Sequence, residues 1–338
     1  MTQIKILNEE DIKKIITMDM SIKAVENAYS QKNNDKATVW PLVFYEYEHN
    51  VFDLDIRSGN LIDSNAYGLK LISYNENNVN KNLPKVNATS LVFSSITGEP
   101  IALLNAAPIT SYRTGAAAAI GAKYLARENS KNLLIVGCGN IALYSIVATL
   151  ITMPNIENVY ICNPNNPTAL EKRVEEINQK VVKLLAESGY SLKAEFEGIT
   201  DIELATRNSD IIITTTPSEK AMIKNEWVKD GTHFSCMGAC MQGKQEIDDL
   251  IFSRAIVYAD DEKQCIKSGE MQNAFKNNII SSIDGEIGEV ILNKKKGRKS
   301  DTDITVFDST GLFLQDLATS MKLIEKAKKE NIGIDVSI

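Results

Sequence analysis

Residues 132–151 read NLLIVGCGNIALYSIVATLI. An apolar run, Leu133 to Val136, stops at Gly-Cys-Gly, and a second apolar stretch of helical character follows. Gly137-Cys138-Gly139-Asn140-Ile141-Ala142 fits the pattern G-x-G-x-x-A. The first glycine of that pattern permits a tight turn, the second lets backbone approach a pyrophosphate, and the small last residue lets helix pack closely on strand. A bare match carries little weight; a strand before it and a helix after it supply the context that dinucleotide binding requires. Gly137, Gly139, Asn140 and Ile141 are therefore expected to seat a dinucleotide, and Cys138 fills a variable position.

The same alternation continues on the C-terminal side. NVYIC (158–162) reads as a second strand, and TALEKRVEEINQKVVKLLAESG (168–189) as an amphipathic helix ending at Gly189. Val174, Ile177, Val181 and Leu184 form its apolar face. SDIIITTTP (209–217) and AIVYADD (255–261) are further buried strands. Strands alternating with helices predict a parallel, doubly wound sheet. In many NAD sites the second strand ends in an acid that binds the ribose 2′-hydroxyl. Here it ends in Asn163, and no arginine follows at once, so both NAD and NADP stay open.

Before residue 131 the pattern is mixed. NEEDIKKIITMDMSIKAVENAYSQ (8–31) has apolar residues at helical spacing, with Asn8 and Asp19 as N-caps. LVFYEYEHNVFDLDI (42–56), YGLKLISY (67–74) and ATSLVFSSITGEPIALLNA (88–106) read as strands, the last with a turn at TGEP. TSYRTGAAAAIGAKYLAREN (110–129) is an Ala-rich helix opened by Thr110 or Ser111, which puts Arg113 in its first turn. An arginine at a helix N-terminus suits a carboxylate, and equally a plain surface position. The residues alone leave both readings open.

Bulk properties narrow the function. A chain of 338 residues predicts two domains, and 43% apolar with 24% charged residues is a soluble globular profile. A net charge of -7 disfavours nucleic acid and anionic membranes as partners. No apolar run reaches the roughly 20 residues needed to span a bilayer. The start MTQIKILNEEDIKK lacks the apolar core of a signal peptide, so a cytoplasmic protein with reduced thiols is expected. Five cysteines without a C-x-x-C pair predict neither a disulfide framework nor a metal site. With only His49 and His233, acid–base work falls to Lys, Asp, Glu, Cys or water. HFSCMGACMQGKQEI (233–247) groups Cys236, Met237, Cys240 and Met241, which raises the question of sulfur chemistry.

A resemblance answers it. GLK (68–70), SYRTGAAAAIGAKYLAR (111–127), LLIVGCGNIA (133–142), DIIITTTPS (210–218), GACMQGKQEI (238–247), GEIGEV (285–290) and GRKSDTDITVFDSTGLFLQD (297–316) are together similar to the ornithine cyclodeaminase/mu-crystallin family. The similarity runs from about residue 40 to 330. It implies an α/β fold: a Rossmann NAD(P)-binding domain over 126–311 plus a discontinuous α+β substrate and dimerisation domain over 1–125 and 312–338. It also implies NAD or NADP as cofactor, a small amino or imino acid as partner, and a homodimer.

By resemblance, Lys70 matches the family's active-site lysine and Arg113 its carboxylate-binding arginine. Asp55 stands about where cyclodeaminases have a substrate-facing glutamate. Thr215, Thr216, Ser309 and Gly311 join Asn163 as cofactor-binding positions. Two departures stand out. Many members carry an arginine soon after the proline matching Pro41; here Leu42 and Val43 follow, and Arg57 is expected to supply the cation. In the family's GxDxxGKxE loop a catalytic aspartate stands where this chain has Cys240. An ordinary thiol, with a pKa of about 8.5, is mostly neutral at pH 7 and would stabilise an iminium poorly.

The expected chemistry is hydride transfer at the α-carbon of an L-amino acid, its carboxylate clamped by Arg113 and Lys70. Ornithine cyclodeaminase activity (ornithine to proline plus ammonia) ranks first. An imine or ketimine reductase, or an alanine- or opine-type amino-acid dehydrogenase, stands beside it. A catalytically inactive nucleotide-dependent binding protein is the third reading.

Overall fold

A computed structural model describes residues 2–49, 51–164 and 166–338; Asn50, inside the segment read as strand, lies outside the described residues. The chain forms two compact units. Unit 1 comprises Met1–Ile16, Lys23–Arg113 and Leu312–Ile338, and unit 2 comprises Thr17–Ile22 and Thr114–Gly311. The resemblance implies a first boundary at 125/126. The units divide at Arg113/Thr114, inside the uninterrupted helix Ala106–Leu125, where no turn residue marks it.

Unit 1 is built on an eight-stranded sheet. Its order is Ile334–Ser337, Gln3–Leu7, Pro100–Asn105, Val86–Ser94, Ala66–Asn75, Phe52–Leu61 and Ala37–Val39, with Val43–Glu48 also paired to Phe52–Leu61. All pairings are antiparallel except that of Gln3–Leu7 with Pro100–Asn105. Gly59 and Gly68 are direct partners across two of these strands. A Cβ on Gly59 would lie 3.0 Å from Leu314, and one on Gly68 3.2 Å from Phe313. The missing side chains make a dent into which the start of the helix Phe313–Glu330 sinks. Residues 313–320 of that helix are all buried, polar ones included, so its first two turns are enclosed on every side.

Unit 2 carries the doubly wound sheet. Its eight strands run Glu195–Gly198, Asn158–Cys162, Asn132–Val136, Ile211–Thr214, His233–Cys236, Ile304–Asp308, Ala255–Ala259 and Gly285–Glu286, all parallel. Sequential connections wind outward on one side of Asn132–Val136 and then resume beyond it at Ile211–Thr214. That pair of strands is the topological switch point, where open α/β sheets bind ligands beyond their carboxyl ends. Among the described residues, no helix is long and apolar enough to cross a membrane.

Local readings need three corrections. Asn8 caps its helix with a full capping box, but Asp19 lies inside Met18–Lys32, and Thr17 Oγ1 accepts the Met20 N–H in its place. The Ala-rich helix begins at Ala106, not at Thr110 or Ser111. Asn105 Oδ1 accepts from the Ala107 N–H, and Thr110 and Ser111 donate back to Ala106 and Ala107 carbonyls from mid-helix. Arg113 is therefore two turns into the helix and has no share in its N-terminal dipole. On Leu170–Glu187 the buried residue is Leu185 rather than Leu184, one helical turn after Val181.

Candidate functional site

In unit 1 the sheet pleat gathers charge on one face. Arg57 and Lys70 are direct cross-strand partners, and Asp55 precedes Arg57 by two, so their side chains share a face. Lys70 is fully buried. Its Nζ donates to Asp316 Oδ1 at 2.7 Å and to Thr110 Oγ1 at 3.2 Å. Arg113 donates from NH1 to Gln315 Oε1 at 2.8 Å, and its Nε lies 3.4 Å from Asp316 Oδ2. Gln315 in turn donates to the Tyr29 hydroxyl at 2.6 Å. Arg57 donates to Asp55 Oδ2 at 3.2 Å. Unit 1 thus brings together Asp55, Arg57, Lys70 and Arg113, and adds Asp316.

These five side chains carry three cations and two carboxylates, a surplus of one positive charge. That is the complement of a single carboxylate. Arg113 Nε and Asp316 Oδ2 sit within ion-pair distance, yet neither has a hydrogen-bond partner. Burial drives the Lys70 pKa down to about 8; Asp316 opposes that shift, while Arg113 and Arg57 add to it. For Asp316, burial alone would raise the pKa. Lys70 and Arg113 outweigh it and hold the carboxyl below its usual range.

In unit 2, Gly137 follows the strand Asn132–Val136 with φ +108°, and a Cβ there would lie 2.6 Å from Thr215 Oγ1. Only glycine fits such a position. Gly139 is the N-cap of Asn140–Thr152, which has no side-chain cap. Nothing lies within 4 Å of a Cβ built on Gly139, so the space over the turn is open. An uncapped helix start beneath open space fits a pyrophosphate. Ala142 is fully buried, as its packing role requires. Asn163 donates from Nδ2 to Cys138 Sγ at 3.1 Å.

The other cofactor-binding candidates are committed to protein partners. Thr215 Oγ1 donates to the Val136 carbonyl at 3.1 Å. Glu246 Oε1 takes both the N–H and the hydroxyl of Thr216, at 2.6 and 2.8 Å. Asp260 Oδ2 takes the Ser309 hydroxyl at 2.8 Å and the Gly311 N–H at 2.9 Å. Their N–H groups are likewise taken within the protein, and of the four only Thr215 is partly exposed. Cys240 is half-buried in the loop after His233–Cys236, and Cys236 is buried at that strand's end. Burial, with Glu270, Asp308 and Glu246 adding negative charge, drives the Cys236 thiol well above its usual range. His233 is buried and hydrogen-bonded to Thr305 and Ser235; burial and Arg298 keep it neutral.

Sequence reasoning missed the carboxylates. Besides Asp316, the buried acids Glu246, Asp260, Glu270 and Asp308 hold the loops at the carboxyl end of the unit 2 sheet through backbone N–H groups. The signal for Asp316 lay in FLQDLATS, where Gln and Asp interrupt an apolar helix start. For Asp260 and Asp308, an acid at the end of an apolar strand was the available sign; Glu246, inside Gln245–Ile247, and Glu270, after the helix Glu262–Ser268, carried none. The burial of Asp308 raises its pKa to about 8; the Met271 and Glu270 N–H groups oppose this, and Asp260 and Glu246 add to it.

Comparisons with known proteins agree with this architecture. The model of the ornithine cyclodeaminase/mu-crystallin family matches residues 3–331. Alanine dehydrogenase of Archaeoglobus fulgidus is 37% identical over 97% of this chain and 96% of its own length. The solved structure of an archaeal alanine dehydrogenase dimer with bound NAD is 35% identical, with a TM-score of 0.87 over 100% of both chains. The Δ1-pyrroline-2-carboxylate reductase of Thermococcus litoralis, solved with NADH and L-proline, is 30% identical, with a TM-score of 0.89 over 98% of this chain and 100% of that one.

Proposed function

Because the chain belongs to the ornithine cyclodeaminase/mu-crystallin family, we propose that it is an NAD(P)-dependent oxidoreductase acting at the α-carbon of a small L-amino or imino acid. Within that class the reading favours an alanine-dehydrogenase or imine-reductase type of activity. The observation that carries it is the cluster of Lys70 and Arg113 about Asp316, with its surplus of one positive charge. A bound nicotinamide dinucleotide supplies the hydride acceptor or donor.

The chain's own residues do the rest. Gly137, Gly139, Asn140 and Ile141 hold the pyrophosphate, with Asn163, Thr215, Thr216, Ser309 and Gly311 along the remainder of the dinucleotide. Arg113 and Lys70 grip the substrate carboxylate, and Arg57 adds to the positive potential. Lys70, with its pKa near 8, exchanges a proton at Nζ around neutral pH, as acid–base work beside an amine requires.

A cyclodeaminase must also hold a second, side-chain ammonium. Cys240 offers it no fixed charge, and Asp55 Oδ2 already serves Arg57. One observation favours that second reading: Asp55 Oδ1 is buried without a hydrogen-bond partner, an acceptor open to an amine. Turnover separates the two. Stoichiometric change of NAD(P)H with alanine-sized amino or imino acids supports the dehydrogenase or reductase. Proline formed from ornithine with only catalytic NAD⁺ supports the cyclodeaminase, and Cys240→Asp should raise that activity. Nucleotide binding without either turnover leaves only a binding protein.

The same reading includes a cytoplasmic homodimer. The strand Val43–Glu48 and its flank expose Trp40, Leu42, Phe44, Tyr45 and Tyr47, an apolar patch of the kind that marks an interface. Light scattering that returns the mass of one chain would refute the dimer.

A further inference from the structure

Beside the glycine turn of unit 2 lies a pocket of about 320 Å³, lined by Cys138, Asn163, Asn166, Lys172, Arg173 and Glu176. It opens at the end of the strand Asn158–Cys162, where a doubly wound fold reads the adenosine ribose. No carboxylate stands at the strand end to bind a 2′-hydroxyl. The lining holds two cations and a single acid.

Arg173 is tied to the turn itself, its Nε donating to the Cys138 carbonyl at 3.1 Å. Its NH1 pairs with Glu176 at 2.9 Å, but both side chains are about two-fifths exposed, at 40% and 41%. Solvent screens such a pair, and it gives way readily to a better anion. Lys172 is exposed and makes no hydrogen bond or ion pair among the described residues. Asn163 and Asn166 add neutral polar groups. Ten positions separate Asn163 from Arg173 in sequence, and the first turn of Leu170–Glu187 brings the guanidinium back to the strand end.

We propose that this pocket receives the 2′-phosphate of NADP, with Arg173 and Lys172 as its cationic partners, so that the chain prefers NADP(H) to NAD(H). The proposal rests on the dinucleotide reading above. It departs from the NAD and NADH bound in the solved relatives named above.

Equilibrium binding on the full chain tests it, by calorimetry or dinucleotide fluorescence, with NAD⁺, NADP⁺, AMP and adenosine 2′,5′-bisphosphate as probes. NADP⁺ should bind about tenfold or more tighter than NAD⁺, and the bisphosphate tighter than AMP by a similar factor, the effect of a charge-assisted phosphate contact. Arg173→Ala should remove most of that difference while leaving NAD⁺ within about threefold. Asn163→Asp, which leaves Arg173 in place, should reverse the preference through its charge alone. NADP⁺ binding more weakly than NAD⁺ overturns the proposal. So does an equal loss of both nucleotides in Arg173→Ala together with an unchanged preference in Asn163→Asp. If none of the four probes binds, the dinucleotide reading itself falls, an outcome distinct from either of these.

Discussion

Lys70 Nζ lies 2.7 Å from Asp316 Oδ1 with both side chains buried, although 246 residues separate them in the chain. The contact joins a sheet strand to a helix sunk into the dent at Gly59 and Gly68. It also neutralises part of a positive cluster that would otherwise be costly to bury. Removing one partner of a buried pair typically costs about 3–5 kcal/mol, because the other charge stays behind unpaired. Asp316→Asn should therefore lower unfolding stability by about that amount in urea denaturation. A loss below about 1 kcal/mol would mean that water reaches Lys70 and Arg113 freely.

Arg113 tests the carboxylate grip. Arg113→Ala should cut kcat/KM by about 100-fold or more, since a substrate held loosely forfeits its orientation. Dinucleotide affinity should be nearly unchanged, because no part of the glycine turn belongs to unit 1. Turnover equal to that of the unaltered protein would remove Arg113 from the proposed machinery.

The two glycines of the turn should respond differently. Gly137→Ala forces a Cβ to 2.6 Å from Thr215 Oγ1 at φ +108°, so thermal stability should fall. Gly139→Ala meets no protein atom and should change stability by less than about 1 kcal/mol. Its methyl group instead occupies the space over the turn, and dinucleotide affinity should drop about tenfold or more. Full dinucleotide affinity in Gly139→Ala would place the pyrophosphate elsewhere.

Asp308 gives a pH dependence with a definite sign. Its pKa is raised to about 8 in the folded protein, so between an ordinary Asp value of about 3.9 and 8 the native state binds more protons than the unfolded chain. Stability then falls as pH rises through that window, and the cost is complete above it. Asp308→Asn keeps an acceptor for the Met271 N–H and cannot ionise. Relative to the unaltered protein, it should gain in denaturation midpoint between pH 5 and pH 8.5. A constant difference across that range would show that Asp308 carries no such proton.

The fold of unit 2 was legible because its signals are local. An apolar run, a glycine turn and an apolar helix sit within residues 132–151, and the strands Asn158–Cys162, Ile211–Thr214 and Ala255–Ala259 are continuous apolar stretches, whereas Glu195–Gly198 and Gly285–Glu286 carry no such signal. In unit 1 the central strands within 42–56, 67–74 and 88–106 were legible, but Gln3–Leu7, Ala37–Val39 and Ile334–Ser337 were not. Its charge cluster was not. Lys70 and Arg113 came from resemblance, and Asp316 appeared only when the helix Phe313–Glu330 was seen in its dent, because no sequence pattern links a sheet lysine to an acid 246 residues on. The start of Ala106–Leu125 is hidden because the strand Pro100–Asn105 runs into the helix with no turn between, so that Asn105, a good cap by type, ends the strand as well. Arg173 was passed over because helical geometry, not adjacency, returns it to Asn163.

Unit 1 is interrupted in sequence, and this orders its assembly on the ribosome. Lys70 emerges 246 residues ahead of Asp316, which at translation rates of about 5–20 residues per second is a lag of about 12–50 s. Throughout that interval the nascent sheet has no counter-ion for Lys70 and Arg113, and its dent at Gly59 and Gly68 is unfilled. All of unit 2 has been synthesised before the missing helix appears. A segment translated after unit 2 thus seals a sheet begun before it, and a chain cut short before Leu312 would present an open, positively charged sheet to chaperones and proteases.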